Sequence, residues 1–311
     1  MNALILKQRV RREIQSKVDR ILRELDNPEP PLRLELVFEL LDLDRSYFTS
    51  ESEGLMKMTF SRLKRAGKQI LKRPALLGDA VKKFDLRALY IPDQKRILID
   101  DKLPKPKHRW LEAHEIGHDL LPWHHDMLLG DDDITPTPAV YDKMEAEANY
   151  AAGILLFLSD RFIEECRSVP ATIASAQQLK KRYGNTFTTT LWRMIEHIGE
   201  ERPMIGLIGQ HPQAYGNDEP NFRHLIPSLA FDHQFEVPSI HSLSNQIENY
   251  CWGRRGPIGE GEVVIVARDG SRHLFEFETF YNSYDALTLG RHLRALPLVI
   301  SPGFIRAVTV E

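Results

Sequence analysis

Cysteine is nearly absent: Cys166 and Cys251 are the only two in 311 residues, and they stand far apart. A disulfide framework needs paired thiols and a cysteine-held metal needs closely spaced ones, so neither is expected, and the usage fits a reducing compartment. No apolar run approaches the roughly 20 residues of a membrane helix. The opening Met1-Asn2-Ala3-Leu4-Ile5-Leu6-Lys7-Gln8-Arg9 holds too short an apolar run for a secretory signal. A cytoplasmic protein with no membrane partner is expected. Neither sign of charge dominates, since 41 Lys and Arg face 44 Asp and Glu for a net charge of −3. That balance speaks against a chain built as a whole to grip nucleic acid. The length suffices for a large core, split between two units.

What is present is concentrated at Ala113-His114-Glu115-Ile116-Gly117-His118. The segment from Lys107 to Leu121 has no internal proline, stops at Pro122, and is apolar at Trp110, Leu111, Ala113, Ile116, Leu120 and Leu121, as a buried helix would be. On a helix His114 and His118 fall on one face, so both imidazoles can reach a single metal ion. Glu115 is then placed to act as general base toward a water that the metal polarises. The competing reading, histidines on an ordinary helix, must explain three polar side chains in an apolar helix interior.

A catalytic zinc site needs a third protein ligand. The best supply is Met144-Glu145-Ala146-Glu147-Ala148-Asn149-Tyr150-Ala151-Ala152, opening a second apolar helix that runs on to Phe157. Glu145 and Glu147 point in nearly opposite directions on a helix, so only one can face the metal. Below Glu145 lie the small residues Ala148, Asn149 and Ala152, and below Glu147 lie Tyr150, Ala151 and Ile154. Periodicity leaves the choice open.

The string Arg109 to His118, followed by Glu145-x-x-Ala148-Asn149-x-x-Ala152 and Leu155-Leu156, resembles the ImmA/IrrE family of zinc peptidases. The resemblance runs from about residue 33 to 198 and implies Zn2+ as cofactor and Glu145 as third ligand, in a gluzincin-like arrangement. It extends to Leu34–Leu41, which looks like the family's helix before the core, and to a hairpin. That hairpin joins Ala88-Leu89-Tyr90-Ile91 to Arg96-Ile97-Leu98-Ile99-Asp100, where an extended substrate could add as a strand. Residues 172–198 look like the family's helix-turn-helix-like segment. Glu112 departs from the family, which has an apolar residue there, as do Gly153-Ile154 and Phe157-Leu158-Ser159. The insertion between Lys57 and Phe84 has no counterpart.

That insertion is basic, with Lys57, Arg62, Lys64, Arg65, Lys68, Lys72, Arg73, Lys82 and Lys83, and reads as a solvated helix face before it reads as a docking surface. The second helix of the helix-turn-helix-like segment, Thr188 to Ile198, offers Arg193 but little else for base contacts, so DNA binding is not favoured and a plain αα-hairpin is. Beyond Arg202-Pro203 short β-like runs begin: Met204–Gly209, Leu225–Phe231, Glu262–Ala267, His273–Phe280 and Phe304–Val310, with an Asp269-Gly270 turn and a helix at Asn245–Trp252.

The expected fold is therefore α+β: a mainly helical zinc-peptidase core with a small β-hairpin or sheet at residues 1–202, then an α+β domain at 203–311. In some family members a sensor-like domain of GAF type stands in that place. The expected activity is a zinc metalloendopeptidase, with His114, His118 and Glu145 as ligands and Glu115 as base. His124, His125, Tyr141 and Tyr150 are unranked candidates for steadying the oxyanion, and Asp119 and Asp142 are near enough to orient the histidines. Asp131, Asp132 and Asp133 lack the spacing of a calcium loop. The resemblance implies a helix-turn-helix transcriptional repressor as substrate, in stress response or mobile-element control. Two other readings stand beside it. One is a regulatory binding protein with a structural or vestigial metal site, capturing a repressor or DNA without cleavage; the other is hydrolysis of a small amide.

Overall fold

The structure, a computed structural model, describes residues 6–48, 88–101, 105–129, 138–214 and 222–297. The basic insertion, the three aspartates and the expected strand at Phe304–Val310 lie outside the described residues. The fold is α+β, as expected. The chain forms two compact units, Met1–Phe162 with Lys181–Thr186, and Ile163–Lys180 with Phe187–Glu311. The breaks after Lys180 and Thr186 fall within the helix-turn-helix-like segment, and the break after Phe162 precedes it.

The first unit begins with α1 (Gln8–Glu24), an amphipathic helix that buries Ile14, Val18, Ile21 and Leu22 at helical spacing. Next, α2 (Leu34–Leu41) ends at Asp42 in the left-handed conformation, φ 53°. A three-stranded sheet follows, with β3 (Arg96–Asp100) between β1 (Asp44–Phe48), parallel to it, and β2 (Ala88–Ile91), antiparallel. The hairpin forms as expected; its turn is one 3-10 turn, Pro92–Gln94, closed by Lys95 at φ 49°. β1 was not foreseen, since Asp44-Arg45-Ser46-Tyr47-Phe48 carries few of the β-branched residues that mark strands.

Two helices carry the chemistry: α3 (Lys105–Leu120) and α5 (Pro138–Leu156), with the short α4 (Pro122–Leu129) between them. α3 stops where Pro122 cannot continue it. α5 stops at Leu158 and Ser159, both at positive φ (55° and 53°). α3 and α5 pack closely because Gly117 has no side chain: a Cβ there would lie 2.8 Å from the Ala148 carbonyl oxygen and 3.3 Å from Ala151 Cβ. Real Cβ atoms do not come as near as the first of these distances, and seldom as near as the second.

Glu112, the departure on α3, is 6% exposed and finds a partner on β1, where Arg45 Nη1 donates to its Oε1 at 2.7 Å. The pair ties the helix to the sheet. Arg45→Met would leave a buried carboxylate without its donor and is expected to cost about 1–3 kcal/mol, read from urea denaturation. An unchanged midpoint would contradict that role.

The second unit is a sheet covered on both faces. The strand order is β5-β4-β8-β7-β6, with neighbours antiparallel: β4 (Met204–Gly209), β5 (Phe222–Pro227), β6 (Gly256–Val266), β7 (Arg272–Tyr281) and β8 (Ala286–Ala295). On one face Phe275 and Phe277 join Phe231 and Phe235 from in and just after α9 (Leu229–Gln234), and Leu243 and Ile247 of α10 (Ile240–Glu248). On the other, β7 meets the helix pair: Glu278 accepts the Ile173 N–H at 2.9 Å and Phe280 packs on Phe187, centroids 5.5 Å apart. Cover on both faces explains why β4 is buried at every residue and reads as an unbroken apolar run.

The expected strand at Leu225–Phe231 stops at Pro227, because Ser228 caps α9 by accepting the Phe231 N–H at 3.2 Å. The expected helix at Asn245–Trp252 is α10, which starts earlier, capped by Ser239. β8 was missed, its charged end masking the alternation. After α6 (Asp160–Ser168) comes the helix pair itself, α7 (Ile173–Tyr183) and α8 (Phe187–Ile198), joined through Gly184 at φ +65°. α8 spends its apolar side, including Leu191, Met194 and Ile195, in the core, and Arg193 pairs with Glu196 at 3.0 Å. No helix among the described residues is long and apolar enough to cross a membrane.

Candidate metal centre

One turn of α3 and the facing turn of α5 bring His114, His118 and Glu145 together, and among the described residues they form the one such group able to hold a metal ion. His114 Nε2 lies 3.2 Å from Glu145 Oε2, His118 Nε2 lies 3.5 Å from Glu145 Oε1, and the two Nε2 atoms are 3.2 Å apart. Ligands held tetrahedrally at about 2.0–2.1 Å from zinc are themselves about 3.3 Å apart. The three donors therefore have the spacing and the chemistry that zinc requires. Periodicity left Glu145 and Glu147 open; the geometry separates them, since Glu147 turns instead to His124.

Each imidazole is held from behind. His114 Nδ1 lies 3.0 Å from Asn149 Oδ1, and His118 Nδ1 lies 3.0 Å from His124 Nδ1. His124 Nε2 reaches Glu147 Oε2 at 3.0 Å, and that oxygen also accepts the Trp123 indole N–H at 2.7 Å. Asn149 was legible in principle, lying four residues after Glu145 on one helix face. His124 was not, because Pro122 breaks the helix and spacing no longer fixes direction.

Burial works to raise the Glu145 carboxyl, but the hydrogen bonds and charges of His114 and His118 outweigh it and hold it well below the usual carboxylate range. For His114 burial works downward, yet Glu145 and the nearby Glu115 leave the imidazole above its ordinary value. Glu115 is 6% exposed. Burial raises its carboxyl most; His114 and His118 and a hydrogen bond from the Tyr90 backbone offset that only in part.

The remaining candidates are dispersed. His124 is fully buried with both nitrogens engaged, so it is no rim donor. Tyr150 faces α1, with the Arg11 guanidinium 5.6 Å above its ring. The Tyr141 side chain lies outside the described residues. His125 keeps 27% of its side chain exposed beside the Tyr90 ring. Asp119 does not orient either ligand histidine: its carboxylate takes the Tyr90 hydroxyl and Lys95 Nζ, the latter at 3.2 Å. Asp142 is exposed.

The model of the M78 peptidases, described as the IrrE N-terminal-like domain, matches residues 64–194. The likeness to the ImmA/IrrE family is thus shown for that stretch, which contains both ligand-bearing helices. Among solved structures, a Mycobacterium tuberculosis transcriptional regulator is similar at 14% identity and a TM-score of 0.50, covering 94% of this chain and 93% of that one. At that identity the likeness concerns the fold. No curated protein matches.

Proposed function

We propose that the protein is a zinc-dependent endopeptidase whose substrate is a helix-turn-helix transcriptional repressor. The observation that carries the reading is the near-tetrahedral spacing of His114 Nε2, His118 Nε2 and a Glu145 oxygen. Zinc held there would supply Lewis acidity, lowering the pKa of a bound water and polarising the scissile carbonyl. Glu115 takes the proton from the attacking water and returns it to the leaving amine, a task suited to a carboxyl raised by burial. Among the described residues β2 is an edge strand, and its Tyr90 backbone meets Glu115, so a peptide added along that edge would pass the base. His125, half-buried beside the Tyr90 ring with its Nε2 3.7 Å from Asp119 Oδ1, is our choice for steadying the oxyanion. We read the second unit, a five-stranded sheet between helices, as a sensory part of GAF-like character.

One observation favours the reading without cleavage: Glu115 is only 6% exposed. Both readings are tested by incubating the zinc-loaded protein with purified repressors and with small amides, beside a Glu115→Gln variant. Repressor fragments from the unsubstituted protein alone support the endopeptidase; equal biological activity in the variant would rule it out.

A further inference from the structure

We infer that His124 and Glu147 form a buried relay that decides which nitrogen of His118 is left free to face the metal. This rests on the zinc reading above. The two histidines are held differently. His114 meets an amide oxygen, which accepts its Nδ1 hydrogen at 3.0 Å. His118 meets another imidazole nitrogen at 3.0 Å, and two such nitrogens can share only one hydrogen. The assignment is made at the far end of the chain.

There Glu147 Oε2 faces His124 Nε2 at 3.0 Å and the Trp123 indole N–H at 2.7 Å, with Lys143 Nζ 3.5 Å from its other oxygen. A carboxylate among donors only accepts, so His124 donates from Nε2. A neutral His124 then presents its lone pair at Nδ1, His118 donates from Nδ1, and the His118 Nε2 lone pair is left toward His114 and Glu145. With the His124 and Glu147 side chains 0% and 2% exposed, water is poorly placed to substitute for either partner. His124 and Glu147 are positioning residues: they touch neither substrate nor metal, and act through His118.

The test reads hydrogen placement and zinc binding separately. In metal-free protein with 15N-labelled histidines, where zinc does not itself impose the His118 tautomer, long-range proton–nitrogen spectra are expected to show His124 protonated at Nε2 and bare at Nδ1; the opposite tautomer overturns the relay. A role limited to packing would not fix that signature. Glu147→Leu is expected to weaken zinc binding about 10–100-fold in competition with a chelator. Glu147→Gln should recover most of the loss, because an amide oxygen still accepts from Trp123 and His124. Unchanged affinity in folded Glu147→Leu overturns the relay and leaves the zinc site standing. Should Glu147→Leu not fold, the tautomer of the unsubstituted protein decides. Failure of the unsubstituted protein to take up zinc overturns the zinc reading, and the relay with it.

Discussion

Glu115→Gln is expected to keep its zinc and to lose about 10²–10⁴-fold in hydrolysis, the range that a positioned general base contributes. Glutamine has nearly the same shape and still accepts the Tyr90 backbone hydrogen bond that Glu115 receives. It cannot hold a proton. Glu115 lies outside the donor triangle of His114, His118 and Glu145, so zinc retention separates loss of base from loss of metal. Zinc content and cleavage rate are measured on the same preparation. Loss of zinc with activity would mean that Glu115 supports the site itself, and full activity would leave the base unassigned.

The second large effect is expected at Gly117. Removing a helical glycine gains at most about 1 kcal/mol of helix propensity. Against that, even a Cβ at this position sits 2.8 Å from the Ala148 carbonyl oxygen, which is backbone and cannot swing aside. Valine adds two further methyl groups, and overpacking of this kind costs about 1–3 kcal/mol. The clash wins. Glu145 lies one turn before Ala148, so forcing α5 away also widens the 3.2 and 3.5 Å gaps between Glu145 and the two histidines. Gly117→Val is therefore expected to lower both the urea midpoint and the zinc affinity. Unchanged zinc affinity would show that close helix approach does not set the site.

Sequence periodicity reached the helices more surely than their mutual arrangement. The His114–His118 pair is legible because both residues lie on one helix, where spacing fixes direction. The resemblance implies Glu145, while spacing alone does not choose it over Glu147; which of the two faces the histidines depends on how α5 is rotated against α3, at the contact of Gly117 with Ala148 and Ala151. His124 stands in the sequence only as one of four unranked candidates for steadying the oxyanion, because nothing local says that α4 turns it inward behind His118. In the second unit, β4 and β7 were legible from apolar runs. β8 was hidden by Arg291, His292 and Arg294, and Arg291 is in fact spent on pairing with Glu276 and Glu278 of β7. Glu112, odd for its family, is explained only by Arg45 on a strand that the sequence did not announce.

The central claim is that His114, His118 and Glu145 together hold zinc. Its most direct test is metal analysis of the purified protein after dialysis against zinc and removal of the excess, beside Glu145→Ala treated identically. One bound zinc per chain in the unsubstituted protein and essentially none in Glu145→Ala is the expected result. No bound zinc in the former, or an undiminished zinc content in the latter, would contradict it.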